Sequence, residues 1–391
     1  MAAVGVVVAV RGPEEARVVA EIEAHPGLAV VRRCADLAEA VGAAKAGLGA
    51  VVIVSDQPHL DGDALAAIRG AGVRVLGVAS PDSVRLASLG VPVPSGPLAE
   101  AVLAAIERPA PELVAPPAPG GGVIVAVWGT GGAPGRTTVA VTLATEAARS
   151  GISTLLVDLD TYGASVATAW GLADETPGVA AVVRAAARGE DPSAVLARHT
   201  VTVAPSLTVL TGLTRAVRWP EITRAGLERL WPALRAAAEL IVIDLAAPAE
   251  DGGPYAGAAP HRDTATVATL DEADTVIAVG GAEPHQLVRL VHALLDREGP
   301  PPVVAVNRIR TSVAGARPED AIAATLGRHA GITEVWPLPW DQRACDAAVR
   351  DGRTLTEVAP RSPLVRAIAA MGAAVLASAR ASRGVSVPMP D

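Results

Sequence analysis

The sequence predicts an α/β protein built on two doubly wound, mostly parallel sheets. Short Val-rich runs alternate with helical patterns along nearly the whole chain, which is the signature of parallel strands covered on both faces. One Pro/Gly/Ala stretch, RPAPELVAPPAPGGG, interrupts that alternation. A length of 391 residues also exceeds what one hydrophobic core usually organises. These observations divide the chain into a first domain at 1–107, a linker at 108–122, a second domain at 123–380 and a tail at 381–391.

In the first domain the runs VGVVVAV, LAVVRRC, AVVIVSD, VRVLGVA and VPVPS read as five strands, separated by helical segments such as EEARVVAEIEAH and GDALAAIRGAG. This is the flavodoxin-like pattern. Its order and length resemble a response-regulator receiver domain, with Asp56 at the end of the third strand where a phospho-acceptor would stand. The remaining site is missing: RGPEE follows the first strand instead of an acidic pair on its end, and Ser95 follows the fifth where a lysine is expected. Mg²⁺ and a phosphoryl group need those charges. Asp56 therefore reads as an ordinary strand-end or helix-capping residue.

In the second domain GVIVAVW is a strand, RTTVAVTLATEAARSG a helix ended by Gly151, and STLLVDLD the next strand. LTVLTG, LIVIDLA, DTVIAVGG and VVAVNRIR are further strands. Between the first strand and its helix lies WGTGGAPGRTT, which is not a regular phosphate loop of the form G-x-x-x-x-G-K-[ST]. With Gly135 as the second glycine, Thr130 stands at the first, and Arg136 stands at the lysine. A Gly-rich strand-to-helix turn still aims unpaired N–H groups and the positive end of a helix dipole at an anion. Two later strands carry the matching carboxylates. Asp158 and Asp160 in LLVDLD face the same way because they are two residues apart on a strand, and Asp244 ends LIVIDLA in the manner of a Walker B residue.

Together GGAPGRTT, VDLDTYGAS, VIDLAAP, VNRIR and PLPWDQRACDAAVRDGRTL resemble the ParA/MinD group of P-loop ATPases, and the APGRTT loop behind a receiver-like domain looks most like the CpaE/TadZ proteins of Flp pilus assembly. The resemblance implies ATP and Mg²⁺ as cofactors. It implies that Gly131, Gly132, Ala133, Pro134 and Gly135 cradle phosphate, that Arg136 replaces the loop lysine, and that Thr138 contacts the α-phosphate. Thr137, Asp158 and Asp244 would serve the metal, with Asp160 as the water-activating carboxylate. Asn307 would read the adenine edge, or be a turn residue, with the PLPW loop around Pro339 beside the base.

The departures bear on catalysis. Active members carry a second, signature lysine near the loop start that crosses a nucleotide-sandwich homodimer, and Gly129, Thr130 and Gly131 occupy those positions here. Arg262 is either its substitute or a solvated surface charge. An arginine keeps the charge but not the shape of an ammonium. Binding should therefore survive better than turnover, and the expected activity is slow ATP hydrolysis that positions a polar or septal complex such as pilus machinery. A non-catalytic nucleotide-binding scaffold dimer, recruiting partners through the receiver-like domain, is the alternative. A DNA-partitioning or septum-site ATPase is the third reading.

Net charge −8 argues against a nucleic-acid partner. Cys34 and Cys345 match no metal or redox spacing, which fits a reduced cytoplasm. The opening MAAVGVVVAVRGPEE lacks the basic region of a signal peptide. AIAAMGAAVLASA near the end is too short to span a bilayer, so any membrane contact is expected to be peripheral and through a partner. Trp219 reads as an anchor between helix and sheet, or as a partner surface.

Overall fold

A computed structural model describes residues 3–57, 60–78, 86–87, 89–107, 121–132, 135–172, 178–249 and 261–383. Residues 108–120 of the expected linker, 384–391 of the tail, and Ala133 and Pro134 of the glycine-rich loop lie outside the described residues. The chain divides into two compact units, Met1–Pro116 with Arg184–Pro192 and Pro117–Val183 with Ser193–Asp391.

The first unit carries β1 (Val4–Ala9), α1 (Glu14–Glu23), β2 (Leu28–Arg33), α2 (Leu37–Lys45), β3 (Val51–Val54), α3 (Gly62–Gly70), β4 (Arg74–Gly77) and α4 (Leu98–Glu107). Its four strands are parallel in the order β2-β1-β3-β4. Alternate residues feed opposite faces. Val7, Val52 and Val75 pack with Leu37, Leu65 and Ile68, whereas Val6, Ile53 and Leu76 pack with Val18, Ile22 and Val102. Asp36 and Asp61 cap α2 and α3 by accepting the N–H groups of Glu39 and Ala64.

The fifth strand expected at VPVPS does not form. Pro92 and Pro94 have no N–H to give a ladder, and the segment contributes a single bond to β4, from Gly77 N to the Pro92 carbonyl at 2.8 Å. Asp56 lies two residues beyond the end of β3 and caps no helix that begins nearby, since Asp61 holds that place. Beside it Ser55 Oγ accepts the Arg11 N–H, and the Gln57 amide donates to the Ala9 carbonyl.

The second unit is one eight-stranded sheet in the order β12-β11-β10-β5-β9-β6-β8-β7. Its strands are β5 (Val123–Gly129), β6 (Thr154–Leu159), β7 (Val201–Ala204), β8 (Leu207–Leu210), β9 (Leu240–Leu245), β10 (Thr275–Gly281), β11 (Val303–Ile309) and β12 (Val335–Pro339). All pairs are parallel except β7 with β8. From β5 the chain moves to one side for β6 and to the other for β10 to β12, so the carboxyl end of β5 is the topological switch point where such sheets bind ligands.

Two strands depart from the sequence reading. β7 is a short antiparallel edge next to the Pro205–Ser206 turn. The PLPW segment, expected as a loop, forms the opposite edge strand β12, where Pro337 and Pro339 are tolerated because one side of an edge needs no donors.

Five helices of this unit matter below: α5 (Arg136–Arg149), α6 (Arg224–Ala237), α7 (Thr264–Glu272), α8 (Pro284–Asp296) and α9 (Pro363–Ser382). By length and composition α9 is apolar enough to cross a membrane. Its Leu364, Val365, Ile368, Met371, Val375 and Leu376 are instead buried in the core with Val139, Leu143 and Val125. The segment read from the sequence as too short to span a bilayer is thus part of a 20-residue helix of sufficient length, one face of which packs in the core.

Candidate functional site

At the switch point β5 ends at Gly129 and α5 begins at Arg136. The turn needs glycine for identifiable reasons. A Cβ on Gly129 would sit 2.2 Å from the Val279 carbonyl oxygen of the neighbouring strand. Gly135, the residue that enters the helix, has φ +99°, and a Cβ there would lie 2.2 Å from Asn307 Nδ2. No side chain caps α5, and its first turn contains no acidic residue. Its orphan N–H groups and dipole therefore face the loop with no carboxylate of their own helix to satisfy them.

Thr137, in the first turn, donates its hydroxyl to Asp244 Oδ2 at 2.6 Å. Asp244 is 1% exposed, and its other oxygen, Oδ1, is buried with no hydrogen-bond partner. On the adjacent strand Asp158 stands directly opposite Asp244 in the register. Burial, followed by the charge of Asp158, pushes the Asp244 carboxyl well above the ordinary range, against the hydrogen bond from Thr137. Burial likewise pushes Asp158 up to about 6, although three backbone N–H groups oppose the shift. Those donors are Asp160 to Oδ1, and Ser165 and Val166 to Oδ2. Asp158 is thus committed to holding the loop after β6, which leaves Thr137 and Asp244 as the pair best disposed toward a metal. Among the described residues no cluster of three His, Cys, Asp or Glu side chains could hold an ion by itself. A hydroxyl and one carboxylate suit Mg²⁺, which commonly completes its shell with phosphate and water.

Asp160 accepts the N–H groups of Tyr162 and Gly163 through Oδ1, both at 2.8 Å. Its Oδ2 lies 3.6 Å from a terminal nitrogen of Arg136, the only charged side chain of the loop. Arg136 also donates to the Thr130 carbonyl at 3.3 Å. The guanidinium therefore bridges the phosphate loop to the carboxylate expected to activate water. Gly131, Gly132 and Thr138 are also positioned by this turn and the start of α5.

Arg262 is neither a solvated charge nor an outstretched cation. It donates to the Thr161 carbonyl at 2.9 and 3.2 Å and stacks 3.9 Å over the Tyr162 ring. Thr161 Oγ1 donates back to the Arg262 carbonyl, and the Tyr162 hydroxyl donates to Asp263 at 2.7 Å. The loop after Asp160 is thereby clasped to the start of α7.

Asn307, 4% exposed and fifth of the seven residues of β11, lies with its amide against Gly135 and accepts the Arg308 N–H. In this position it stands next to Gly135, the residue that enters α5. Arg308 lies 4.6 Å over the Trp340 ring, and Pro339 pairs with Ile309 across β11 and β12. Trp219 is half-buried in a short 3₁₀ helix, Ala216–Glu221. The sequence signalled neither the Arg136–Asp160 contact nor the Tyr162–Asp263 bond, because each joins side chains whose meeting depends on strand order.

The arrangement defines a class: a doubly wound sheet with an anion-receptive loop at its switch point, a half-buried Thr137 bonded to a buried Asp244 behind it and a second carboxylate at its side. Solved structures share this fold. The chain matches a ParA family ATPase from Chlorobium tepidum TLS (TM-score 0.52, 19% identity, covering 64% of this chain and 98% of that one). It also matches the Pyrococcus furiosus cell division ATPase MinD (0.52, 17%, 65% and 98%). The septum site-determining protein MinD complexed with Mg-ADP from Pyrococcus horikoshii OT3 agrees equally well (0.52, 18%, 65% and 95%). The chain therefore has the ParA/MinD fold. No protein-family model matches the sequence, and no curated protein matches it.

Proposed function

We infer that the second unit binds Mg-ATP at the β5–α5 turn and hydrolyses it slowly, dimerising around nucleotide to position a cytoplasmic complex at a pole or septum. The observation that carries this reading is Asp244. A buried carboxylate with one oxygen unpartnered and the other on a helix-start hydroxyl is costly without a cation beside it, and bound Mg²⁺ would relieve that cost. Thr137 and Asp244 would hold Mg²⁺, whose chemistry there would be to neutralise charge on phosphate oxygens. The main-chain N–H groups of Gly132 and Gly135 and the start of α5 bind phosphate, and Thr137 and Asp244 hold the metal. Asp160, fixed by two backbone donors, orients water. That one fold neighbour was solved in complex with Mg-ADP supports an adenine nucleotide and Mg²⁺ as the ligands. Flp pilus machinery, by resemblance of the APGRTT loop and receiver-like first domain to CpaE/TadZ proteins, is the proposed cargo.

The Arg136–Asp160 contact favours slow turnover, since a carboxylate paired with a guanidinium is a poorer acceptor for a water proton. Mg-ATP affinity and steady-state hydrolysis of wild type, Arg136→Lys and Asp160→Ala test the reading. Wild type is expected to bind, and Arg136→Lys to hydrolyse faster by ten-fold or more within the roughly 10²–10³ that one well-aimed group contributes. Wild type that binds no nucleotide would sink the reading. Binding with turnover equal to that of Asp160→Ala would select the alternative, a nucleotide-binding scaffold. Sizing with and without Mg-ATP reads out the dimer.

A further inference from the structure

The geometry points to Arg289 as a second phosphate cation of this site, supplied in cis from α8 and directed at the terminal phosphate of a nucleoside triphosphate. This rests on the nucleotide reading above. Arg289 is exposed on α8, 158 residues from the loop in sequence, yet its guanidinium donates to the Gly131 carbonyl at 3.1 Å. The same nitrogen would lie 3.1 Å from a Cβ on Gly132, whose φ is +75°. The arginine thus lies against the Gly131–Gly132 part of the phosphate loop.

Charge balance argues for a role beyond bracing. The buried part of the site sets Asp158, Asp160 and Asp244 against Arg136. A triphosphate with one Mg²⁺ adds further net negative charge to this surplus. Arg262 is held by Thr161 and Tyr162, and Arg308 lies over Trp340. Among the described residues, that leaves Arg289 as the other arginine bonded to the loop itself. A single Gly131 bond occupies one of its five N–H groups, and the planar fork suits bidentate contact with phosphate. Gly132, without a side chain, leaves room for that approach.

Calorimetric titrations of Mg-ATP, Mg-ADP and AMP into the full chain, comparing wild type with Arg289→Gln and Arg289→Ala, test the assignment. Glutamine can still donate to the Gly131 carbonyl but carries no charge. The expected result is a ten-fold or greater loss of Mg-ATP affinity in both variants, a loss under three-fold for Mg-ADP and none for AMP. The wild-type advantage for Mg-ATP should also shrink as salt is raised. If Arg289→Gln binds all three ligands as wild type does, Arg289 only braces the loop and the inference is overturned. Equal losses for all three ligands overturn it as well. Wild type that binds none of them overturns the nucleotide reading and this inference together.

Discussion

The two ends of the eight-stranded sheet both bury charge, but they treat it differently. At the amino end Arg235, 6% exposed, is fully engaged: it pairs with Asp274 at 2.6 Å and Glu272 at 2.7 Å and donates to the Gly122 carbonyl at 3.0 Å. Asp274 in turn accepts the Ile124 N–H at 2.8 Å, and Arg383 donates to the Gly121 and Gly122 carbonyls. At the carboxyl end Asp158 and Asp244 face each other across neighbouring strands, one Asp244 oxygen has no hydrogen-bond partner, and the nearest guanidinium reaches Asp160 only at 3.6 Å. Buried charge that is paired and hydrogen-bonded maintains structure. Buried charge left in surplus is the mark of a site awaiting a ligand.

The largest expected effect breaks the satisfied end. Arg235→Ala removes the guanidinium from Asp274, Glu272 and the Glu272 carbonyl, leaving Asp274 with the Ile124 N–H and Arg383, and should cost about 3 kcal/mol in denaturant unfolding of the second unit. The unsatisfied end should respond with the opposite sign. Asp244→Asn keeps an oxygen for the Thr137 hydroxyl and removes the buried charge, so unliganded protein near pH 7 should gain on the order of 1 kcal/mol or more while Mg-dependent nucleotide affinity falls.

The pH dependence follows from the same imbalance. A carboxyl whose folded pKa is raised holds its proton more tightly in the folded state, so its stabilising contribution is present at low pH and is lost as pH rises. For Asp158 the window runs from 3.8 to about 6, and the unliganded melting temperature should decline through it. A rise across that window specific to the second unit would contradict the surplus-charge account. The smallest effect uses the same helix as Arg235. Arg224, 51% exposed beside Glu228 and Asp271, should lose no more than about 1 kcal/mol on conversion to Ala.

Much of this was legible in the sequence because it is local. The runs VIVAVWG, LLVDLD, LIVIDLA and TVIAVGG announce buried parallel strands, and glycines at 129, 132 and 135 announce a tight turn before a helix. A carboxylate at a strand end is equally visible. Other features were missed for local reasons of their own. VPVPS has strand-like valines, yet its prolines cannot pair, and the PLPW prolines are accommodated only because β12 is an edge.

By itself, then, the sequence determined the α/β alternation, the phosphate-loop character of 128–140 and the candidacy of Thr137, Asp158, Asp160 and Asp244, since periodicity and turn chemistry act over a few residues. The tertiary structure alone decided that β9 lies between β5 and β6, which sets Asp158 opposite Asp244 and brings Thr137 onto it. It also decided that Arg136 meets Asp160, that Arg262 clasps Thr161, and that Arg289 reaches Gly131. Strand order and helix packing are settled by burial across the whole sheet, and contacts between residues a hundred or more positions apart have no signature in the segments that make them.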